Sequence, residues 1–247
     1  ARRMAARWQA AWLDRLQERV QAVSVERLMP QVVRVRVDMA DPQIGVTSRY
    51  DYLVFGSGDV VLEHTVEVAG ELPPLPRVGV KLVLPGECQE LSWYGRGPQE
   101  TYADRKQGAR VSVYRDTVRC QLVPYVTPQE YGNRTDVRWA ALVDQGGAGL
   151  LAVGQPALNV SAHHYTAHDL AHARHAHELV PGEDIILNLD LAQSGLGSES
   201  CGPGVLPRYR LEAQRYCYRL RLRPLSEASE SPVELSKQVL PIFESIE

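Results

Sequence analysis

Apolar positions follow a helical spacing at the start of the chain and a strand spacing after it. Within residues 1–22, an apolar stripe recurs at helical intervals and predicts an amphipathic helix; its members are Trp8, Trp12, Leu13, Leu16 and Val20. The period shortens to two in QVVRVRVDM, where valines alternate with Arg34 and Arg36, as in a strand with one apolar face. The chain is therefore predicted to begin with a short helix and to continue as β-structure.

The clearest strand pair flanks the short connection at residues 56–59. Its arms, SRYDYLVF and VVLEHTVEV, are rich in β-branched and aromatic residues, and the glycines between them predict a hairpin. Further strand-like runs are RVGVKLVL, CQELSWY, ARVSVYRD, VRWAALVD, GLLAVGQ, ALNVSAH, RHAHELV, DIILNLDLA and RYCYRLRL. One internal helix is predicted near Thr166–His172, where Thr166 and Asp169 have the spacing of a capping box. So many short strands at close spacing indicate a sandwich or barrel.

Composition and length narrow the classes of protein. The 247 residues contain 44% hydrophobic and 23% charged residues, which is typical of a globular chain. Residues 1–225 are predicted to form one β-domain, and the polar segment 226–247 an appended tail. The net charge of -3 argues against nucleic acid as a partner, and no apolar run is long enough for a transmembrane helix.

Cysteine usage suggests a reducing compartment. Cys88, Cys120, Cys201 and Cys217 are widely spaced and form no C-x-x-C pair, which favours free thiols. No signal peptide is visible, so we expect a cytoplasmic location.

Two polar segments carry candidate chemistry. In WYGRGPQETYADR, Glu100, Asp104 and Arg105 could hydrogen-bond a sugar, but the spacing alone favours an ion pair that locks the loop. In YVTPQEYGNRTDVRW, planar polar groups stand beside an aromatic residue, a composition that suits either a carbohydrate site or a buried network between sheets. The residues are Glu130, Asn133, Arg134, Asp136, Arg138 and Trp139.

A histidine cluster and a glycine-rich loop complete the candidates. Six of the seven histidines lie at positions 163, 164, 168, 172, 175 and 177. On one continuous helix, four of them could bind zinc, but RHAHELV alternates like a strand, so no metal site is predicted and a solvated cluster is favoured. The loop over residues 193–207 is rich in glycine and proline. It lacks the lysine of a phosphate loop, but loops of this length are often functional.

Three segments, taken together and in their order along the chain, resemble the C-terminal domain of bacterial β-galactosidases of glycoside hydrolase family 2, of the lactose-operon type. They are WYGRGPQETYADR, YVTPQEYGNRTDVRW and SGLGSESCGPGVLPRY. The resemblance covers about residues 5–223. It implies a galactose-mutarotase-like super-sandwich of antiparallel sheets. It also implies that the two glutamates that hydrolyse terminal β-galactosides with retention lie in a separate (β/α)₈ barrel. We therefore assign no catalytic residue and expect no activity from this chain alone.

The resemblance also carries expectations about partners and substrate. In the family, the glycine-rich loop closes the aglycone side of the pocket and, in the best-known members, carries a tryptophan. Here Cys201, beside Ser200, stands at that position, so these two residues are the expected substrate-side contacts, without aromatic stacking. The barrel, in the same chain or a large subunit, is the expected partner. No cofactor is expected in this chain, since the Mg and Na often used by full-length family members bind elsewhere.

Two further expectations concern assembly and function. The first strands of the family domain are missing before residues 1–22, which would expose a sheet edge and favour an oligomer. A stand-alone aldose 1-epimerase-like enzyme, with a histidine acid and Glu130 as the base, stays open as an alternative, as does a carbohydrate-binding protein on the same fold.

Overall fold

The computed structural model describes residues 2–197, 204–226 and 230–241, which form a mainly β, antiparallel fold. The helices of these residues are α1 (Arg2–Ala10), α2 (Ala167–His172) and α3 (Pro232–Lys237). Their strands are β1 (Arg19–Met29), β2 (Val32–Asp41), β3 (Val46–Phe55), β4 (Val60–Val68), β5 (Arg77–Leu84), β6 (Glu90–Gly97), β7 (Arg110–Thr117), β8 (Arg134–Val143), β9 (Gly149–His163), β10 (Ile185–Gln193) and β11 (Tyr216–Leu225). No helix in these ranges is long and apolar enough to cross a membrane.

The long strand β9 organises the sheet. The main path runs β1-β2-β3-β4-β11-β9-β8-β6-β7, and β10 branches from β9 to pair with β5. Residues 149–155 of β9 pair with β11, whereas residues 159–163 pair with β10. Because β9 changes partner halfway along its length, the sheet divides into two branches.

The main hydrophobic core draws on both branches. Trp93 of β6, Leu189 of β10 and Leu220 of β11 belong to one cluster and are almost fully buried. The helix α1 is attached to the connection before β5 by a hydrogen bond from the Trp8 indole to the Pro74 carbonyl, at 2.7 Å. Burial of such large side chains removes apolar surface from water, which is the principal stabilisation of the fold.

Most of the local predictions are confirmed. The hairpin forms between β3 and β4, with Val54 opposite Val60. The α2 helix begins at a complete capping box, in which Thr166 and Asp169 satisfy each other's backbone N–H groups. The run RYCYRLRL forms most of β11, in which Tyr218 and Leu220 are buried.

Three predictions about helices and strands are wrong. The first helix ends at Ala10 instead of residue 22, since residues from Arg19 onward pair with β2 as β1. The runs GLLAVGQ and ALNVSAH are one strand, β9. RHAHELV is not a strand: its centre is an exposed 3₁₀ turn, Ala176–Glu178.

The described part of the polar tail packs on the sheet. Leu235 of α3 contacts the cluster that contains Trp139 and Leu225. The Arg221 guanidinium of β11 donates hydrogen bonds to the backbone carbonyls of Leu235 and Gln238, the second at 2.7 Å. The carbonyls near the end of α3 are thereby satisfied by a buried side chain.

Candidate functional site

Glu100 joins two loops at one end of the sheet. Its nearly buried carboxylate accepts hydrogen bonds from the Arg105 guanidinium, from the Tyr125 hydroxyl and from the Gly132 backbone N–H, the last at 2.7 Å. Burial raises the pKa of Tyr125, and its hydrogen bond to Glu100 acts in the same direction. Glu100 therefore ties the loop after β6 to the loop before β8, and Arg105 is its ion-pair partner.

Asp104 anchors the start of the glycine-rich segment. Its two carboxylate oxygens accept the backbone N–H groups of Leu196, at 3.1 Å, and Gly197, at 2.7 Å. A Cβ at Gly195 would lie 2.8 Å from the Asp104 carboxylate, and Gly197 has a positive φ of +64°. A side chain at Gly195 would thus displace the Asp104 carboxylate, and the backbone conformation at Gly197 favours glycine. The substrate-side candidates Ser200 and Cys201 lie outside the described residues.

Asn133 and Arg134 are buried at the entrance to β8. The Arg134 guanidinium donates to the Gln121 side-chain oxygen at 2.6 Å and lies 5.1 Å from the Trp93 ring centre. Burial lowers the pKa of Arg134 to about 10. The Asn133 amide donates to the Thr101 carbonyl at 2.8 Å. These contacts hold the two loops in place from inside the fold.

Asp136, Arg138 and Trp139 have different environments. Asp136 binds Arg96 and, at 2.9 Å, the Lys106 ammonium. Partial burial alone would raise the pKa of Asp136, but these two hydrogen bonds outweigh it and lower the pKa. Arg138 is exposed above the Tyr94 ring. Trp139 lies in a hydrophobic cluster with Ala141, Leu151 and Leu225, so it offers no open aromatic face to a sugar.

Glu130 belongs to a second group of charged and polar side chains, which the sequence did not predict. Its carboxylate accepts from Arg77 and from Gln193, both at 3.3 Å. Arg77 also pairs at 3.4 Å with Asp190, which is 2% exposed. Burial raises the pKa of Asp190 to about 7, although the Arg77 charge acts in the opposite direction. One signal was available: Asp190 is an acidic residue inside the apolar run DIILNLDLA.

His163 differs from the solvated cluster that the sequence predicted. It is buried, and its ring meets Tyr131 edge-on at 4.4 Å between centroids. Burial, together with the charges of Arg77 and Arg134, lowers the pKa of His163 to about 3. The ring is therefore neutral at neutral pH. The histidines from 168 to 177 are exposed, as expected.

These contacts fix backbone segments in relation to one another. Glu100, Asp104, Glu130 and Asp136 each accept hydrogen bonds from arginine, lysine, glutamine, tyrosine or backbone donors. Glu100, Asp104 and Asp136 accept through both carboxylate oxygens, which makes them poor general bases for an incoming substrate, whereas both hydrogen bonds of Glu130 go to its Oε1 atom. The arrangement indicates that these groups position the loops at residues 98–109 and 125–133 and the segment at residues 194–197, and do not themselves carry out chemistry.

Comparison with known proteins gives consistent matches. The profile of the family described as "Beta galactosidase small chain" matches residues 1–222. A β-galactosidase from Vibrio cholerae serotype O1 is 38% identical over 221 residues, which cover 88% of this chain and 21% of that protein. One from Arthrobacter sp. strain B7 is 36% identical over 236 residues, which cover 87% and 22%. The chain thus spans about a fifth of the length of these relatives.

Solved structures also align with this chain, at low sequence identity. The galactosidase domain of an alpha-galactosidase-sucrose kinase aligns with a TM-score of 0.48 at 10% identity, over 86% of this chain and 28% of that chain. A galactose mutarotase related enzyme from Lactobacillus acidophilus aligns with a TM-score of 0.38 at 7% identity, over 84% and 72%.

Proposed function

Because the chain belongs to the β-galactosidase small-chain family, we propose that it is the non-catalytic C-terminal domain of an enzyme that hydrolyses terminal β-galactosides. In this proposal the catalytic glutamates are supplied by a (β/α)₈ barrel, in the same chain or in a large subunit. The relatives support the proposal, since each is a β-galactosidase about five times longer than the matched region. Any Mg or Na that the complete enzyme uses would bind outside this chain, and a cytoplasmic location is consistent with the free thiols of Cys88, Cys120 and Cys217.

The anchoring of the glycine-rich segment by Asp104 is the observation that carries the proposed role. A loop that lines a substrate pocket must be held in position before substrate arrives, because a small displacement reduces the rate. Two hydrogen bonds from consecutive backbone N–H groups to one carboxylate supply this constraint. The segment that follows, with Ser200 and Cys201, would then line the aglycone side of the pocket.

The test is Asp104→Asn in the complete enzyme that contains this chain. The amide keeps the shape of the side chain, but its NH2 group cannot accept a hydrogen bond, so one of the two bonds is lost and the other loses the strengthening effect of the charge. We expect kcat/KM for lactose to fall about 10-fold, equivalent to about 1.4 kcal/mol of transition-state stabilisation. The loss should be smaller with a substrate whose aglycone is small, because the loop would contact only the aglycone.

Asp184→Asn is the matched control, because Asp184 is an exposed carboxylate in the loop before β10. It should leave kcat/KM unchanged for both substrates. An equal loss for both aglycones from Asp104→Asn would assign this residue to general folding instead. Rapid hydrolysis of a chromogenic β-galactoside by the rigorously purified chain alone would contradict the non-catalytic role.

The matches do not favour the stand-alone epimerase. That reading needs Glu130 as a free base, whereas Glu130 accepts hydrogen bonds from Arg77 and Gln193.

A further inference from the structure

We propose that His175, His177 and Glu178 form a surface site for a divalent transition-metal ion of the Zn²⁺, Ni²⁺ or Cu²⁺ class. These residues lie in the connection between α2 and β10, apart from the loops assembled by Glu100 and Asp104. One potential ligand atom from each residue lies within 4.8 Å of the others. Imidazole nitrogen with a carboxylate oxygen is a donor set that suits these metals.

The local backbone brings the three side chains together. The helix α2 ends at His172, and the chain is extended at Ala173 and at His175. It then enters the 3₁₀ turn Ala176–Glu178, in which residues three apart lie over one another. His175 and Glu178 therefore share one side of the turn.

The contacts match those of a ligand pair. The His175 Nδ1 atom lies 3.1 Å from the Glu178 Oε1 atom. Two ligands on a tetrahedral zinc ion, with bonds of about 2.0–2.1 Å, are separated by about 3.3 Å. A metal ion can thus take the place of the hydrogen between these two atoms when the imidazole carries its proton on Nε2.

Two further contacts prepare the site. The other carboxylate oxygen of Glu178 accepts the Arg174 backbone N–H at 2.7 Å, which orients the group. The His177 ring is nearly parallel to the His175 ring, with centroids 5.4 Å apart. One His177 ring nitrogen lies within 4.8 Å of the other two ligand atoms, so a rotation of this exposed side chain would bring it to the third position and leave the fourth to solvent.

This site differs from the four-histidine zinc site that the sequence argued against. That arrangement required a helix through residues 164–175, and the helix does end at His172. His168 and His172 face each other on α2, with ring centroids 3.8 Å apart, but among the residues that the structure describes no carboxylate completes a three-ligand group with them. With three ligands, the site at His175 should bind a single equivalent of metal ahead of the pair on α2.

The experiment titrates the metal-free chain with zinc chloride against a chromophoric chelator. Cys120, Cys201 and Cys217 are replaced by serine to remove competing thiolates. We expect one tight equivalent, and about 10-fold or more weaker binding in the variant His175→Ala/His177→Ala. Glu178→Gln should also weaken binding, whereas magnesium chloride should not compete, since Mg²⁺ prefers oxygen ligands.

The variant His168→Ala/His172→Ala is the matched control, because it removes two exposed imidazoles from the neighbouring helix and keeps the 3₁₀ turn. It should retain the tight equivalent. Thermal unfolding of all variants without metal checks that each is folded, as expected for exposed substitutions. The proposal is overturned if the wild type binds no tight equivalent of zinc, or if His175→Ala/His177→Ala binds zinc as tightly as the wild type. It is also overturned if His168→Ala/His172→Ala loses more affinity for zinc than His175→Ala/His177→Ala loses.

Discussion

At the scale of single residues, His64 shows how the fold determines a property that the sequence pattern does not display. Its ring stacks on Tyr50 with centroids 4.3 Å apart, and its Nδ1 atom lies 3.1 Å from the Tyr218 hydroxyl. The residue is 3% exposed, and burial lowers its pKa to about 4. The neutral imidazole is therefore part of the core between β3, β4 and β11.

The depressed pKa of His64 predicts a loss of stability in acid. An unfolded histidine has a pKa of about 6.5, so below that pH the unfolded chain binds a proton that the folded chain refuses. The contribution is fully present above pH 6.5 and is lost as the pH falls towards 4. Lowering the pH from 7.5 to 5 should therefore reduce the contribution of His64 to the free energy of unfolding by about 2 kcal/mol. Urea unfolding at both values measures it.

The variant His64→Gln should lower the free energy of unfolding at pH 7.5. The difference in this free energy between pH 7.5 and pH 5 should be smaller than in the wild type by about 2 kcal/mol. Exposed His168→Gln is the control and should keep the wild-type difference. Equal pH dependence in wild type and His64→Gln would show that His64 is not the titrating group.

At the scale of single residues, the sequence predicted only part of the candidate site. Spacing identified Glu100, Asp104 and Arg105 and favoured a structural ion pair, which is the contact observed between Glu100 and Arg105. It could not identify the backbone donors Gly132 and Gly197, because every residue except proline carries an N–H and only the fold selects which ones converge. Trp139 entered the polar group through its neighbours in sequence, although alternation along β8 turns it to the other face.

At the scale of elements, periodicity located most strands but not where the first helix ends. Trp8 donates a hydrogen bond to the Pro74 carbonyl and Leu13 packs against the main hydrophobic core, so the predicted apolar stripe is confirmed over its first half. The chain leaves the helix by Trp12, which has a positive φ of 62°. Pairing with β2 then decides the conformation of residues 19–29, because backbone hydrogen bonds along a full strand outweigh the weak helix preference of a short segment.

The tail helix α3 provides a test at this scale. Leu235 packs against the cluster around Trp139, and Leu240 packs near Val32 and Phe55. Leu235→Ala should lower the free energy of unfolding by about 1–2 kcal/mol, less than for a fully buried leucine. Denaturant unfolding measures it.

Val239→Ala, at a position that is 92% exposed, should change stability by less than about 0.5 kcal/mol. If both variants unfold like wild type, α3 is not held on the sheet in solution.

At the scale of the whole molecule, the sheet ends in an unprotected strand. Among the described strands, β1 pairs only with β2, so its outer N–H and C=O groups face outward. Val23 and Val25 lie on one face of this strand and are 58% and 69% exposed. The resemblance led us to expect an exposed sheet edge, but periodicity alone could not place it at β1, because an alternating pattern does not show which strands pair.

An exposed apolar edge strand should pair with a second copy of itself when the chain is purified alone, because antiparallel pairing of β1 with β1 satisfies both edges. We expect sedimentation velocity to show an association that increases with protein concentration. Val25→Lys places a charge in that pairing and should weaken it at least about 10-fold. Val180→Lys, at an exposed loop position outside the sheet, should leave association unchanged. Identical sedimentation of wild type and Val25→Lys would mean that β1 is not the contact, and association lost equally in both variants would point to net charge as the cause.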